Sequence, residues 1–257
     1  MRRIPTITKN LLIINVLAFL MMYALRTVSF SGAGPVDLND IFGLHFFMAP
    51  DFRLYQLVTY MFMHATFSHL LFNMFALWMF GCVVENVWGP KKFLFYYITC
   101  GVGAGLMQEL AQFVEIYMNF NARTPISISE AFTVMHHYAA QLNGLTTVGA
   151  SGAIYAILLA FGMIFPENKI FVFPFPIPIK AKWFVMIYAA IELYSAMTGA
   201  GGNVAHLAHL GGMIFGFFMI RYWRRHPSKD FGNVGGSDIF GRMKDAFGRK
   251  NKTWEQS

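Results

Sequence analysis

Four side chains in this sequence combine reactive chemistry with apolar surroundings. His69, Asn73, Ser151 and His209 all fall within strongly hydrophobic runs, where a polar or ionisable group is costly and therefore a functional candidate by default. A hydroxyl, an imidazole and a set of hydrogen-bond donors are the parts of an acyl-transfer site: nucleophile, general base and oxyanion stabilisers. Ser151 stands in Val148-Gly149-Ala150-Ser151-Gly152, a glycine-flanked helix start whose unpaired backbone N–H groups can point at a developing negative charge. His209 stands in Ala208-His209-Leu210-Gly211-Gly212, with Gly216 one turn further on. Gly212 and Gly216 form a small-residue face that lets the histidine's helix approach another closely. His69 and Asn73 are four residues apart, share a helix face, and can both donate hydrogen bonds.

Each of these residues also has a plainer reading. A lone Gly-x-Ser-Gly is most often a serine packed between helices, and a lone histidine can simply bond a neighbouring backbone. His206, one turn before His209, competes as the base. No Asp lies in the runs that hold Ser151 and His209, so the pattern points to a Ser-His dyad; Glu192, the only nearby carboxylate, is read as an interhelical hydrogen-bonding or solvated group in preference to a catalytic one. Zinc is the rival at His64 and His69, but a metalloprotease helix needs histidines at i, i+4 with a glutamate between them, whereas here the spacing is five with no acid. The expectation is a site without metal or cofactor.

These residues must be positioned by helices. Hydrophobic residues make up 56% of the 257, aromatic residues 17% and charged residues 13%, which overrules the soluble-domain prior that length alone would give. Apolar windows of about 18 residues or more can cross a hydrocarbon core of about 30 Å. Expected spans run over about 10–25, 69–84, 93–113, 148–165, 183–198 and 203–220. The first follows Arg2, Arg3 and Lys9, but a poor cleavage site after it favours a retained span over a signal peptide. Residues 27–56 read as a long loop. Between the third and fourth spans, Ser127 and Glu130 have capping-box spacing, and Ala131, Met135, Tyr138 and Leu142 recur at helical intervals. That segment is expected to be a short amphipathic helix on the membrane, ended by Asn143-Gly144. Pro174, Pro176 and Pro178 exclude a helix before the fifth span, the Gly199 to Gly202 turn precedes the sixth, and residues 223–257 read as a basic, flexible cytoplasmic tail. Cys82 and Cys100, inside apolar runs, imply no disulfide framework.

Six spans place both termini on one side. Of the 20 Lys and Arg residues, all but Arg26, Arg53 and Arg123 then fall on the side of the termini, which the positive-inside bias makes cytoplasmic. The formal charge of +7 is thereby explained by orientation rather than by nucleic acid. At about 1.5 Å per residue, Asn73 and His209 lie roughly 16 Å above the cytoplasmic ends of their spans, and Ser151 and His69 roughly 21–22 Å. Three helices thus bring the reactive groups to a similar level in the outer half of the bilayer.

Taken together, His64-Ala65-Thr66-Phe67-Ser68-His69-Leu70-Leu71-Phe72-Asn73, Gly149-Ala150-Ser151-Gly152 and Ala208-His209-Leu210-Gly211-Gly212 with Gly216 resemble the motifs of the rhomboid family of intramembrane serine proteases, in order, spacing and helix. The likeness covers roughly residues 50 to 222 and includes the run from Gly81 through Glu85 to Gly89. It implies an all-α membrane protein, a six-transmembrane-helix bundle at 1–222, that cleaves transmembrane segments of other membrane proteins near their extracytoplasmic end. It implies Ser151 as nucleophile and His209 as base, with His69, Asn73 and the backbone at Gly149 and Ser151 as oxyanion hole and His64 supporting that end of the second helix. The partners implied are transmembrane substrates and the lipid bilayer, in a bacterial inner membrane. A non-catalytic family member that binds transmembrane helices is the alternative. Two features depart from the family pattern: Tyr55-Gln56 stands where many members carry Trp-Arg in the first loop, which bears on that loop's anchoring, and the segment between the third and fourth spans is long.

Overall fold

The computed structural model describes residues 3–27, 35–171, 178–198 and 203–226. The turn at Gly199 to Gly202, Pro174 and Pro176, and the tail from 227 onwards lie outside the described residues. Apolar residues without interior proline form α1 at Thr6–Thr27. Its N-terminus is held by Glu85, whose carboxylate accepts from the backbone N–H of Ile7 at 2.9 Å and of Thr8 at 2.7 Å, and which also satisfies the Thr8 hydroxyl. This acid meets the unpaired donors and positive pole of a helix start.

The first loop is ordered by short elements: α2 (Leu38–Phe42), β1 (Leu44–His45), α3 (Gln56–Thr59) and a 3-10 turn at Tyr60–Phe62. Gln56 is fully buried and binds the loop at several points, donating to the carbonyls of Asp51 and Ile41 and accepting from the N–H of Arg53. Tyr55 donates to the Ile41 carbonyl at 3.2 Å. The Tyr-Gln pair, whose departure from the family pattern put anchoring in question, does anchor the loop.

A single helical rod then runs from Phe67 to Trp88, as α4 (Phe67–Ala76), a π turn at Leu77–Gly81 and α5 (Cys82–Trp88). At about 100° per residue, an unbroken α-helix would set Glu85 about 120° round from Asn73; the π turn absorbs about one residue and returns it to the same face. Both are buried. Gly89, at φ 80°, turns the chain into α6 (Pro90–Asn121), which continues well past the expected span because its outer end stays hydrogen-bonded beyond the apolar window. There follow α7 (Ile128–His137), opened by the expected capping box of Ser127 and Glu130, α8 (Ala139–Leu142) and β2 (Thr146–Thr147). Ala131 and Met135 of α7 pack on Phe46 and Ala49 of the first loop, so the face expected to lie on the membrane is covered by the protein.

The remaining elements are α9 (Ser151–Ile164), the hairpin β3 (Lys169–Phe171) with β4 (Pro178–Lys180), α10 (Ala181–Thr198) and α11 (Asn203–Arg225). The principal core lies between α6, α9 and α11 and the Phe67–Trp88 rod. At the centre, α9 and α11 approach backbone to backbone at Gly212, where a Cβ would meet the Gly152 carbonyl oxygen at 2.1 Å; one on Gly216 would meet the Tyr96 hydroxyl of α6 at 2.2 Å and the Ala156 side chain of α9 at 3.2 Å. The small-residue face expected on α11 makes this approach.

Candidate active site

Ser151 opens α9, where the helix's first N–H groups have no partner of their own in the helix. The approach to it is fixed on two sides. Antiparallel pairing of β1 with β2 sets Leu44 opposite Thr147 and His45 opposite Thr146, and the Gly149 N–H donates to the Tyr60 carbonyl at 2.9 Å. Gly149 itself has φ 131°, a conformation open to glycine and rarely to other residues.

The Ser151 hydroxyl and His209 Nε2 are 2.8 Å apart, brought together by the Gly152 and Gly212 crossing, since His209 lies three residues before Gly212. Tyr155, one turn after Ser151, stacks its ring on the His209 ring with centroids 4.4 Å apart and 10° between planes. On the far side of the imidazole, Nδ1 lies 3.0 Å from Oε2 of Glu192. The same carboxylate oxygen is 2.6 Å from His206 Nδ1, and its other oxygen accepts from the Tyr155 hydroxyl. The carboxylate beside the imidazole thus comes from α10, from the one acid that the sequence placed nearby. Glu192 does form interhelical hydrogen bonds, as expected. His206 takes part through that carboxylate, while Ser151 is approached by His209.

His69 lies beside the Gly149 approach to Ser151. A Cβ on Gly149 would meet His69 Cε1 at 2.7 Å and Nε2 at 2.8 Å, and the Ser151 hydroxyl at 3.7 Å, so the ring and the hydroxyl flank one small space. Asn73 is buried, and its amide Nδ2 has no hydrogen-bond partner among the described residues. His64 is fully buried behind them, edge-on to His69 at 5.0 Å between centroids. Neither of its ring nitrogens has a hydrogen-bond partner among the described residues. Among the described residues, the group of His, Cys, Asp or Glu able to converge on a metal is not His64 and His69 but Glu192, His206 and His209, whose ligating atoms lie within 4.8 Å of one another. Those atoms are also the ones engaged in the hydrogen bonds just described.

Of the residues around the imidazole, Tyr155 was not singled out in the sequence, and Glu192 was read as an interhelical group in preference to a catalytic one. Tyr155 did have a signal, being at i+4 from the serine and so on its face; Glu192 had one in being a carboxylate at membrane depth.

Comparison with known proteins identifies the family of the chain. A family model for the Rhomboid domain matches residues 51–226. Rhomboid protease AarA of Providencia stuartii is 31% identical over 159 residues, covering 61% of this chain and 51% of that protein. Rhomboid protein 1, mitochondrial, of Saccharomyces cerevisiae is 28% identical over 156 residues, covering 60% of this chain and 38% of the relative. The human presenilin-associated rhomboid-like protein, mitochondrial, is 26% identical over 166 residues, covering 63% and 36%. The chain thus spans about half, or less, of the length of the curated relatives it matches. With the family match extending over more than half of its residues, the chain belongs to the Rhomboid domain family and is an integral membrane protein.

Proposed function

We propose that this chain is an intramembrane serine endopeptidase that cleaves transmembrane segments of other membrane proteins, with Ser151 as nucleophile and His209 as general base. The observation that carries the reading is the 2.8 Å approach of the Ser151 hydroxyl to His209 Nε2, the geometry in which a histidine can take a serine's proton. As Oγ attacks a substrate carbonyl, its proton passes to Nε2. The C–N bond then breaks with that proton delivered to the leaving amine, and water hydrolyses the acyl-enzyme. The oxyanion would be met by the N–H groups at the start of α9, by His69 beside Gly149, and by the unpartnered Asn73 amide. His64 packs behind His69 and limits its movement.

The membrane domain is read as 1–222 with six spans, α1, the Phe67–Trp88 rod, α6, α9, α10 and α11, and with 223–257 as a cytoplasmic tail. Two of these, Thr6–Thr27 and Phe67–Trp88, are long and apolar enough to cross a membrane taken singly. α9 has 14 residues and spans roughly 21 Å at 1.5 Å per residue, less than a hydrocarbon core of about 30 Å. If its inner end lies at the cytoplasmic surface, Ser151 lies below the outer surface, where water can reach it from that side. The basic residues favour cytoplasmic termini, and the membrane is read as a bacterial inner membrane.

The test is cleavage of a generic transmembrane substrate in liposomes by the intact protein, Ser151→Ala and His209→Ala, with fluorophosphonate labelling in parallel. Loss of about 10³-fold or more in both variants is expected. Equal cleavage by all three proteins, or none by a correctly folded wild type, would reject the reading in favour of a non-catalytic helix-binding protein.

A further inference from the structure

Glu192 is carried by α10, yet each of its hydrogen bonds reaches another helix: Tyr155 on α9, and His206 and His209 on α11. It is 5% exposed. A carboxylate can only accept hydrogen bonds. The Nδ1 it faces on His209 must therefore carry the proton, and in a neutral ring this leaves Nε2 bare towards the Ser151 hydroxyl 2.8 Å away.

We propose that Glu192 is a positioning residue for His209, so that the active constellation is Ser151, His209 and Glu192 rather than a dyad; this rests on the protease reading above. The His209 ring is then fixed on three sides. Tyr155 covers its face, Glu192 holds Nδ1 and Ser151 meets Nε2. When Ser151 transfers its proton, Oγ bonds to the substrate carbonyl carbon and His209 becomes an imidazolium beside the Glu192 anion, without moving. When the C–N bond breaks, the proton leaves Nε2 for the amine and the neutral tautomer returns. Glu192 gains and loses no proton. His206 and Tyr155, donating to the same carboxylate, keep its two oxygens aimed in fixed directions, with Tyr188 and His69 as the next titratable groups around the cluster.

The test compares Glu192→Gln and Glu192→Asp with wild type, recording kcat, KM and the unfolding temperature. A glutamine can turn its NH2 towards Nδ1 and favour the wrong tautomer. The expected result is kcat lower by about 10²- to 10⁴-fold with KM within about threefold, and partial recovery in Glu192→Asp. Wild-type kcat in Glu192→Gln, or a loss that follows the unfolding temperature and appears equally in KM, overturns the proposal. A second measurement needs no variant at position 192: 15N NMR of the wild type, with His209 assigned by the signal lost in His209→Asn. A proton on Nδ1 and a bare Nε2 are expected; the opposite tautomer overturns the proposal. Activity abolished by a chelator and restored by zinc would also overturn it, by making Glu192, His206 and His209 a metal site. Failure of the wild type to cleave counts against the protease reading, while the NMR result still reports on Glu192.

Discussion

At Gly149 the backbone sits at φ 131°, and the space a Cβ would take is already filled by the His69 ring at 2.7–2.8 Å. Alanine there meets both backbone strain, of order 1–3 kcal/mol, and a histidine that must move away from the hydroxyl it flanks. Gly149→Ala is expected to lower cleavage about 10²-fold, the scale of losing one oxyanion donor, with a smaller change in stability. Initial rates together with fluorophosphonate labelling would check this, and an unchanged rate would remove His69 from the oxyanion site. At this scale the sequence was informative where an apolar run made a polar residue conspicuous, as at Ser151, His209, His69 and Asn73. It was less so at Tyr155, one of 11 tyrosines in a chain with 28 phenylalanines. Glu192 was conspicuous too, but which groups it would meet depends on how α10 lies against α9 and α11, and no spacing along the chain encodes that.

Between elements, the crossing of α9 and α11 sets the distance on which the site depends. An added methyl on Gly212 would meet the Gly152 carbonyl oxygen at 2.1 Å, and backbone cannot rotate out of the way as a side chain can. Gly212→Ala should therefore push the helices apart, destabilise the fold by about 1–3 kcal/mol and separate His209 from Ser151. A displacement of about 1 Å can cost about 10²-fold in rate. Gly144→Ala is the control: its Cβ would meet nothing closer than the Gln141 carbonyl at 3.6 Å, and near-wild-type activity and unfolding temperature are expected. Equal behaviour of the two variants would count against the crossing as the determinant. The small-residue spacing made this approach legible in advance, because glycines four apart on a helix have few other uses. The π turn at Leu77–Gly81 was not legible, since it answers to Asn73 and Glu85 both needing to face inward and leaves no mark in local composition. Nor was the partner of α7, whose Ala131 and Met135 face reads the same whether lipid or the Phe46 loop covers it.

Across the whole molecule, the charge distribution makes a claim that labelling can check. In a chain with Cys82 and Cys100 replaced, a cysteine at exposed Ser129 should react with a membrane-impermeant maleimide from outside intact cells. One at Lys91 or Lys180, both also exposed, should react only after the membrane is opened. The reverse pattern would invert the orientation, and outside labelling of both Ser129 and Lys91 would mean that α6 does not cross. The spans were read from apolar windows, with the charge distribution supporting an even count afterwards; the polar residues Gln108, Glu109 and Gln112, all buried in α6, weaken the apolar signal there. One further consequence concerns α10. Beyond Val185 its only buried residue is Glu192, while Tyr194 and Met197 are largely exposed. On the reading that Glu192 positions His209, any outward movement of the outer half of α10 would carry the carboxylate away from the imidazole. A single side chain would then act as both latch and safety catch: while the door stands open the base is disarmed, and it is rearmed only when the helix closes.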